Sequence, residues 1–158
     1  MSIRQAIIKA FEKKEKRGYK KLYWAIDLHG TVFDADYLKR TNVREFYPCA
    51  LEVLTVLASR ASDLGYQDMS LILYTSSNHT EIKEAMEWLR MKGIEFNHVN
   101  CNPEFPDNDR CDFSKKFAFD IMLEDKAGFD GRYDWYEVRQ ALKELGYWPV
   151  LSNITDGP

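Results

Sequence analysis

Short runs of mostly apolar side chains recur along the chain. The first is Leu22–Ile26, and similar runs follow at Met69–Tyr74 and Phe119–Leu123, with weaker ones at Phe96–Val99 and Trp148–Leu151. A run of this length without polar alternation, bounded by charged or turn residues, is typical of a strand buried on both faces of a parallel sheet. The pattern therefore predicts a strand at each of these positions.

Helical periodicity fills the intervals between these runs. An amphipathic helix is predicted over residues 2–16, where Ser2 and Gln5 match a capping box. Apolar stripes at helical spacing predict three more helices, which are bounded by turn or capping residues and cover 51–64, 82–89 and 138–145. Alternation of strands and helices indicates an α/β fold with a doubly wound, mostly parallel sheet and right-handed crossovers.

Composition narrows the class of protein. The chain has 158 residues, which favours one domain, and its net charge of −3 gives no global basic field. No apolar stretch approaches the ~20 residues that a membrane helix needs, and the first residues lack a signal-peptide pattern. The three cysteines have no Cys-x-x-Cys spacing, which favours a reduced, cytoplasmic protein. The basic stretch over 13–21 is interpreted as a solvated helix end in preference to a phosphate-steering surface.

Polar residues follow the predicted strands directly. In an open α/β sheet, ligands bind beyond the carboxyl ends of the strands, so residues at these ends converge on one edge. Three acids, two hydroxyls and an amide are expected there, namely Asp27, Glu124, Asp125, Thr75, Ser76 and Asn100. Lys116 lies just before the fourth strand. A carboxylate nucleophile, a hydroxyl, an ammonium group and metal-binding acids are the groups that phosphoryl transfer requires.

These residues occur in the order of four motifs, and the chain resembles the haloacid dehalogenase (HAD) superfamily of phosphatases. The Asp-x-Asp-Gly-Thr motif appears as Asp27–Thr31, and the second motif is Thr75 at a strand end. The lysine motif matches Lys116, and the acidic motif matches Glu124-Asp125 with the outlying Asp130. The resemblance implies a Rossmannoid, three-layer α/β/α fold in a single domain over 1–158, with its core over 22–151 and no cap domain.

The resemblance also implies roles for the site residues. Asp27 would form an aspartyl-phosphate, while Thr75, Ser76 and Lys116 would contact the substrate phosphate. Lys115 competes with Lys116 for the lysine role. Mg²⁺ would be held by Asp27, the backbone carbonyl of His29 and Asp125, with Glu124 in support; such an oxygen shell suits this ion.

One position departs from the family pattern. His29 stands where phosphatases of this family usually have a second Asp, which protonates the leaving oxygen and then activates water. An imidazole, with an unperturbed pKa of ~6.5, performs both steps near neutral pH. We therefore expect His29 to be the general acid–base, with an ordinary turn residue as the alternative.

The short connections bear on substrate and on the competing functions. Only sixteen residues separate Thr31 from Pro48, and the loop Cys101–Lys115 is also short, so the sequence predicts a flap and an open site. Sugar phosphates, nucleotides, nucleic-acid ends and phosphoproteins all fit, with oligomer-assisted closure over a small substrate as a further option. Two alternatives to a phosphohydrolase are a catalytically weak or inactive HAD-like binding protein and a phosphorelay receiver-like module.

Overall fold

The computed structural model describes residues 1–149 as an α/β fold with one central sheet. All neighbouring strands run parallel, and the sheet order is β3-β2-β1-β4. The strands are β1 (Leu22–Ile26), β2 (Met69–Leu73), β3 (His98–Val99) and β4 (Ile121–Leu123). This confirms the predicted fold class. The further strand predicted at Trp148–Leu151 runs outside the described residues.

Five helices connect and flank these strands. They are α1 (Ile3–Arg17), α2 (Tyr37–Arg40), α3 (Ala50–Ala61), α4 (His79–Met91) and α5 (Asp134–Glu144), and a 3₁₀ turn covers Asp125–Ala127. The capping box predicted for α1 forms as expected, because the Ser2 hydroxyl accepts from the Gln5 N–H and the Gln5 side chain accepts from the Ser2 N–H. None of the helices over residues 1–149 has the length and apolar content needed to cross a membrane.

The main core lies between one face of the sheet and the helices. Successive side chains of a strand point to opposite faces, so Trp24 and Ile26 of β1 share the helical face. Both are fully buried, and Phe11 of α1 meets the Trp24 ring edge-on at 6.2 Å. Helix α3 packs on β2, and α5 packs on α1 and α3. Trp135 of α5 is also fully buried, which completes a continuous apolar layer.

The opposite face of the sheet is covered by the irregular segment 101–120. Phe105 from this segment meets Tyr23 of β1 edge-on at 5.9 Å. The side chain of Asn102 donates to the carbonyl of Ala118 at 2.9 Å and ties the two ends of the segment together. Helices, sheet and this segment form three layers, which is consistent with the Rossmannoid arrangement that the sequence predicts.

Glu104 anchors the covering segment to the sheet. Its carboxylate accepts hydrogen bonds from Lys21 at 2.6 Å and from the buried hydroxyl of Ser70 at 2.7 Å, and it lies 2.6 Å from His98 Nε2. Burial alone would raise the pKa of Glu104, but the hydrogen bonds from Lys21, Ser70 and His98 outweigh it and lower the pKa to about 2. The carboxylate therefore stays ionised at neutral pH. It connects the covering segment to side chains at the starts of three strands.

A flap, rather than a domain, separates β1 from α3. Its regular structure is limited to the four-residue helix α2 and single bridges of Phe33 to His29 and Phe46. The rings of Phe33 and Phe46 pack against Trp88 of α4 at 5.4 and 4.4 Å. The flap is thus fixed to α4 by aromatic contacts.

Candidate functional site

Parallel register brings the ends of β2, β1 and β4 to one edge of the sheet. Ile26 pairs with Leu73 on one side and with Leu123 on the other. The N–H of Asp27 then donates to the carbonyl of Leu123 at 3.0 Å, which continues the ladder by one residue. The carboxylate of Asp27 is consequently placed beside the residues that follow β4.

Three carboxylates meet at this edge. Asp27, Glu124 and Asp125 each offer one oxygen, and these oxygens lie within 4.8 Å of one another. Glu124 is only 9% exposed, Asp27 is half-buried and Asp125 is exposed. The sequence prediction that these three acids converge is borne out by this geometry; their roles stay predictions.

The acidic cluster makes Asp27 difficult to ionise. Burial, together with the nearby carboxylates of Asp125 and Glu124, raises the pKa of Asp27 to about 7, although the N–H of Leu28, which donates to Asp27 at 2.8 Å, acts to lower it. Within residues 1–149, no Lys, Arg or His forms an ion pair with any of the three acids. The cluster therefore concentrates negative charge without a compensating cation from the protein.

The turn after β1 is shaped to receive Asp125. Gly30 has φ +81°, which favours glycine, and a Cβ at this position would lie 2.7 Å from Oδ2 of Asp125 and displace the carboxylate. The buried Thr31 accepts the Asp125 N–H on its hydroxyl at 3.1 Å. The indole of Trp135 in turn donates to the Thr31 carbonyl at 2.7 Å. Gly30 and Thr31 thus fix the position of Asp125 relative to Asp27.

The donor set fits a hard divalent cation. Three carboxylates without a cationic partner repel one another, and a bound cation restores their ionised state. Oxygen ligands of this kind are those that Mg²⁺ and Ca²⁺ prefer in proteins. The backbone carbonyl of His29 stays a predicted further ligand.

The side chain of His29 is held by α4. Its Nε2 lies 3.0 Å from Oε1 of Glu81, and the same oxygen accepts from Nη2 of Arg44 at 3.1 Å. Arg44 comes from the flap, is only 14% exposed and lies over the rings of Phe33 and Tyr37. The other ring nitrogen, Nδ1, has one long contact of 3.5 Å, to the hydroxyl of Ser77. The imidazole is thus oriented by an Arg–Glu–His chain.

Glu81 is a site residue that sequence reasoning missed. Its position three residues after Asn78 explains why it resembles an ordinary capping residue, and its N–H does donate to the Asn78 side chain at 2.9 Å. The carboxylate, however, reaches His29 on a distant loop. The sequence carries no local signal for this contact, since 52 residues separate the pair.

The hydroxyl residues after β2 stand at the same edge of the sheet. The side chain of Asn100 makes two hydrogen bonds to the backbone of Thr75. Its oxygen accepts from the Thr75 N–H at 2.8 Å, and its nitrogen donates to the Thr75 carbonyl at 2.7 Å. The Thr75 hydroxyl oxygen accepts from the Ser77 N–H at 3.1 Å, which leaves its hydrogen available to a bound group. Ser76 is exposed next to it. Asn100 therefore serves as a backbone clamp, while Thr75 and Ser76 are placed where the sequence predicts.

Lys116 is not brought to the acidic cluster. Its ammonium group lies 5.8 Å from the ring centroid of Phe119, and its side chain lines a different cleft together with Lys13 and Arg17 of α1. Lys115, the competing lysine, is also exposed. Lys116, which the sequence predicts for the lysine role, is therefore not brought together with Asp27 in this arrangement.

A cleft of about 500 Å³ opens beside Asp125. Gly30 and Asp125 form part of its wall, and Arg40, Tyr47 and Arg132 supply cationic and phenolic groups. Arg40 pairs with Asp34 at 3.3 Å, and Arg132 pairs with Asp130 at 3.2 Å. The outlying acid Asp130 therefore faces an arginine in this cleft. The volume lies in the ~300–1,000 Å³ range of small-molecule sites.

Comparisons with known proteins support the fold and give no activity. No family model matches the chain, and no curated protein matches it. A solved structure of a conserved protein from Bacteroides thetaiotaomicron is similar at 26% identity, with 79% of this chain and 92% of that chain covered and a TM-score of 0.55. The chain thus shares its α/β fold with that protein.

Proposed function

We propose that this protein is a Mg²⁺-dependent phosphohydrolase of the HAD type, in which Asp27 is the nucleophile. The observation that supports this best is the convergence of Asp27, Glu124 and Asp125 at the carboxyl edge of a parallel sheet, where no residue of 1–149 forms an ion pair with them. The raised pKa of Asp27 fits a carboxylate that works with a bound cation. When bound, Mg²⁺ would supply charge neutralisation for the approach of nucleophile and phosphate.

In the nucleophilic step, the groups around Asp27 orient the carboxylate and bind the phosphate. One carboxylate oxygen of Asp27 attacks phosphorus, the bond from phosphorus to the leaving oxygen breaks, and an aspartyl-phosphate forms. The Leu28 N–H, which already donates to Oδ1 of Asp27, keeps the carboxylate oriented. Thr75 donates its hydroxyl hydrogen to a phosphoryl oxygen, and Ser76 contacts the same group.

His29 moves the proton in both half-reactions. It gives a proton to the leaving oxygen, so that an alcohol departs, and then takes one from the water that attacks phosphorus and regenerates Asp27. With Nε2 engaged by Glu81, Nδ1 is the nitrogen that exchanges this proton, because its contact to Ser77 is long. Glu81 and Arg44 keep the ring from rotating.

The lysine role keeps two candidates, and substitutions decide between them. Lys116→Ala is expected to lower kcat by at least about 100-fold if its ammonium group reaches the phosphate when substrate binds. Lys115→Ala is the matched control and should stay within a few-fold of wild type. The reverse ranking would assign the role to Lys115.

A metal-binding protein without turnover is the second candidate. Two observations favour it: His29 stands in place of an Asp, and Lys116 lies over Phe119 instead of at the acidic cluster. A receiver-like module is less favoured, because its acceptor Asp would follow the third strand, where this chain has Asn100. The two leading candidates share the metal site and differ in catalysis.

The substrate is a phosphomonoester that an uncapped site admits. The flap over residues 31–49 leaves the edge of the sheet open, so sugar phosphates, nucleotides, nucleic-acid ends and phosphoproteins all enter. The cleft beside Asp125 offers Arg40 and Arg132 to an anionic part of the substrate. We also assign the protein to the cytoplasm, in keeping with three cysteines that form no disulfide, two of them exposed.

A phosphatase panel tests the proposal. Release of phosphate is measured with aryl phosphate, sugar phosphates, nucleotides, 3′- and 5′-phosphorylated oligonucleotides and phosphopeptides, with Mg²⁺ and with EDTA. We expect turnover of at least one class that stops in EDTA and in Asp27→Asn. Metal binding by calorimetry without turnover of any class would favour the second candidate.

A further inference from the structure

A second cleft, which we call the aromatic-basic cleft, shares only Lys116 with the residues of the proposed chemistry. It lies between the C-terminal end of α1, the start of β1 and residues 105–120, and its volume is about 740 Å³. This volume falls within the ~300–1,000 Å³ range of ligand sites. The basic stretch that the sequence analysis interpreted as a solvated helix end forms one of its walls.

Four cationic side chains line the aromatic-basic cleft. They are Lys13 and Arg17 from α1, and Arg110 and Lys116 from the covering segment. All four are exposed, and among residues 1–149 none of them forms an ion pair. Elsewhere on this surface most arginines are paired with acids, as Arg40 and Arg132 are. The cleft is thus a local positive surface on a chain whose net charge is −3.

Aromatic rings lie between these cations. Tyr19 is 39% exposed, and Phe113, Phe117 and Phe119 are half-buried along the wall. Phe113 rests edge-on against Phe105 at 5.5 Å, and Phe117 rests against Phe119 at 5.9 Å. The rings therefore support one another and still present part of their surface to the cleft.

The two acids that line the cleft each accept a hydrogen bond from a backbone N–H. Asp120 accepts the N–H of Tyr23 at 2.9 Å, and Asp112 accepts the N–H of Ser114 at 2.9 Å. Their charges reduce the positive potential without forming an ion pair to any of the four cations. Four cations against two carboxylates leave a net positive cleft.

We propose that the aromatic-basic cleft binds single-stranded nucleic acid. Unpaired cations follow a phosphate backbone, and aromatic rings stack on bases, which is the combination that single-strand binding uses. Duplex DNA keeps its bases stacked inside the helix, so the rings of a concave cleft do not reach them. An acidic peptide would satisfy the cations but offers no planar groups to the rings. The proposal does not depend on catalysis by Asp27.

Fluorescence anisotropy with a labelled oligo(dT) or oligo(rU) of about 12 nucleotides tests this binding. EDTA is present, so that hydrolysis plays no part. We expect a Kd of about 1–100 µM at low salt and a marked loss of affinity as salt rises. The double variant Lys13→Glu/Arg17→Glu should bind at least about tenfold more weakly, and its salt slope should fall by about 1.4, because each phosphate contact on a single strand contributes ~0.7.

Control variants distinguish the effect of charge in the cleft from the effect of the protein's net charge. Lys83→Glu/Lys92→Glu makes the same change in net charge at exposed positions on and after α4, and it should leave affinity within about twofold. Phe113→Ala should lower affinity by about fivefold or more without changing the salt slope, since stacking contributes ~1–3 kcal/mol per base. Asp27→Asn should bind like wild type, which keeps this test distinct from that of the proposed hydrolase.

Three outcomes would overturn the proposal. Equal losses in the two double variants would show that only net charge matters. Equal or tighter binding of a poly-Glu peptide would assign the cleft to acidic peptides, and tighter binding of a duplex would contradict base stacking. If Phe113→Ala fails to fold in a thermal-unfolding check, the double variant on exposed side chains still decides.

Discussion

Asp27 has an ionisation state that depends on its neighbours at the sheet edge. The usual pKa of an Asp is 3.8, and burial, followed by Asp125 and Glu124 and opposed by the Leu28 N–H, raises that of Asp27 to about 7. A group whose pKa is higher in the folded state stabilises the fold at low pH and loses this contribution as the pH rises. The metal-free protein should thus lose stability between about pH 4 and pH 7 through Asp27.

We predict that Asp27→Asn abolishes turnover and stabilises the metal-free protein at pH 8. The amide keeps the shape of the side chain and removes both the nucleophile and a charge that burial and the neighbouring Asp125 and Glu124 disfavour. The gain in the free energy of unfolding should be about 1–2 kcal/mol, because solvent screens much of the repulsion at this half-exposed site. Urea denaturation in EDTA at pH 4 and pH 8 measures it, and the gain should vanish at pH 4.

Asp34→Asn is a matched control for Asp27→Asn. Asp34 lines the cleft beside Asp125 but pairs with Arg40 and lies outside the three-carboxylate cluster. It should retain turnover within a few-fold and show no gain in stability at pH 8. A wild-type rate in Asp27→Asn would exclude the proposed nucleophile.

We predict that His29→Ala acts through the leaving group. Protonation matters most for alkyl phosphates, whose leaving oxygen is strongly basic, so their turnover should fall by about 100-fold or more while aryl phosphates lose far less. His29→Asp restores the residue that the family usually has and should retain or raise alkyl phosphatase activity. Steady-state kinetics on one aryl and one alkyl phosphate measure both variants. Equal losses of activity on the two substrates would mean that His29 has a structural role and does not transfer the proton.

Sequence reasoning predicts part of this site because strand ends are local features. Asp27, Glu124 and Asp125 each follow an apolar run directly, and parallel register then places them together. The Glu81–His29 contact depends on how the turn after β1 approaches α4, which no local pattern encodes. The position of Lys116 depends on the path of an irregular segment and was likewise beyond the sequence.

The covering segment 101–120 packs on the face of the sheet opposite the helices, where a helical layer would otherwise lie. The half-buried Glu104 is a main polar anchor of this segment, since it gathers Lys21, Ser70 and His98 from the starts of three strands. Ionised Glu104 stabilises the fold because its pKa of about 2 is below the ordinary value of 4.5. This contribution is present above about pH 4.5 and is lost as the pH falls towards 2.

We predict that Glu104→Gln lowers the free energy of unfolding by about 1–3 kcal/mol at pH 7. The amide cannot accept from Lys21, Ser70 and His98 as a carboxylate does, so a buried hydroxyl and a charge lose their partner. The difference from wild type should shrink on going from pH 5 to pH 3, because Glu104 takes up a proton in the unfolded chain, at its ordinary value of 4.5, before it does so in the folded protein. Urea denaturation at these pH values measures it, and a constant difference would contradict the assigned pKa.

Element boundaries follow the strength of local signals. The α1 cap and strand β1 are predicted to the residue or nearly so, since Ser2, Gln5 and the charged flanks of Leu22–Ile26 act locally. The third and fourth strands are shorter than predicted, with two and three residues instead of the runs from Phe96 and Phe119. Phe96 packs into the core and Phe119 packs against Phe117, and apolarity alone does not distinguish such packing from strand pairing.

Two clefts of different character lie on the molecule. The three-carboxylate cluster borders the cleft with Arg40 and Arg132, whereas the aromatic-basic cleft lies near the opposite ends of the strands. Because the flap is fixed to α4 through Trp88, we expect little closure over a substrate. A metal ion bound at the carboxyl edge of the sheet should therefore raise the stability of the whole fold.

We predict that Mg²⁺ raises the melting temperature of the wild-type protein at pH 8. A ligand at 100 times its Kd stabilises the folded state by about 2.7 kcal/mol, and Asp125→Asn should lose most of this shift because it removes one of the three carboxylates. Asp34→Asn should retain the shift. Differential scanning calorimetry with and without Mg²⁺ measures it, and an unchanged shift in Asp125→Asn would place the ion elsewhere.

Rapid acid quench detects phosphorylation of Asp27 during turnover. The protein is mixed with an aryl phosphate and Mg²⁺, quenched within the first turnover, digested and analysed by mass spectrometry. We expect a phosphoryl group on the peptide that contains Asp27, its absence in EDTA and in Asp27→Asn, and its decay as phosphate is released. Turnover without any phosphorylated peptide, or a phosphoryl group on another residue, would show that Asp27 is not the nucleophile.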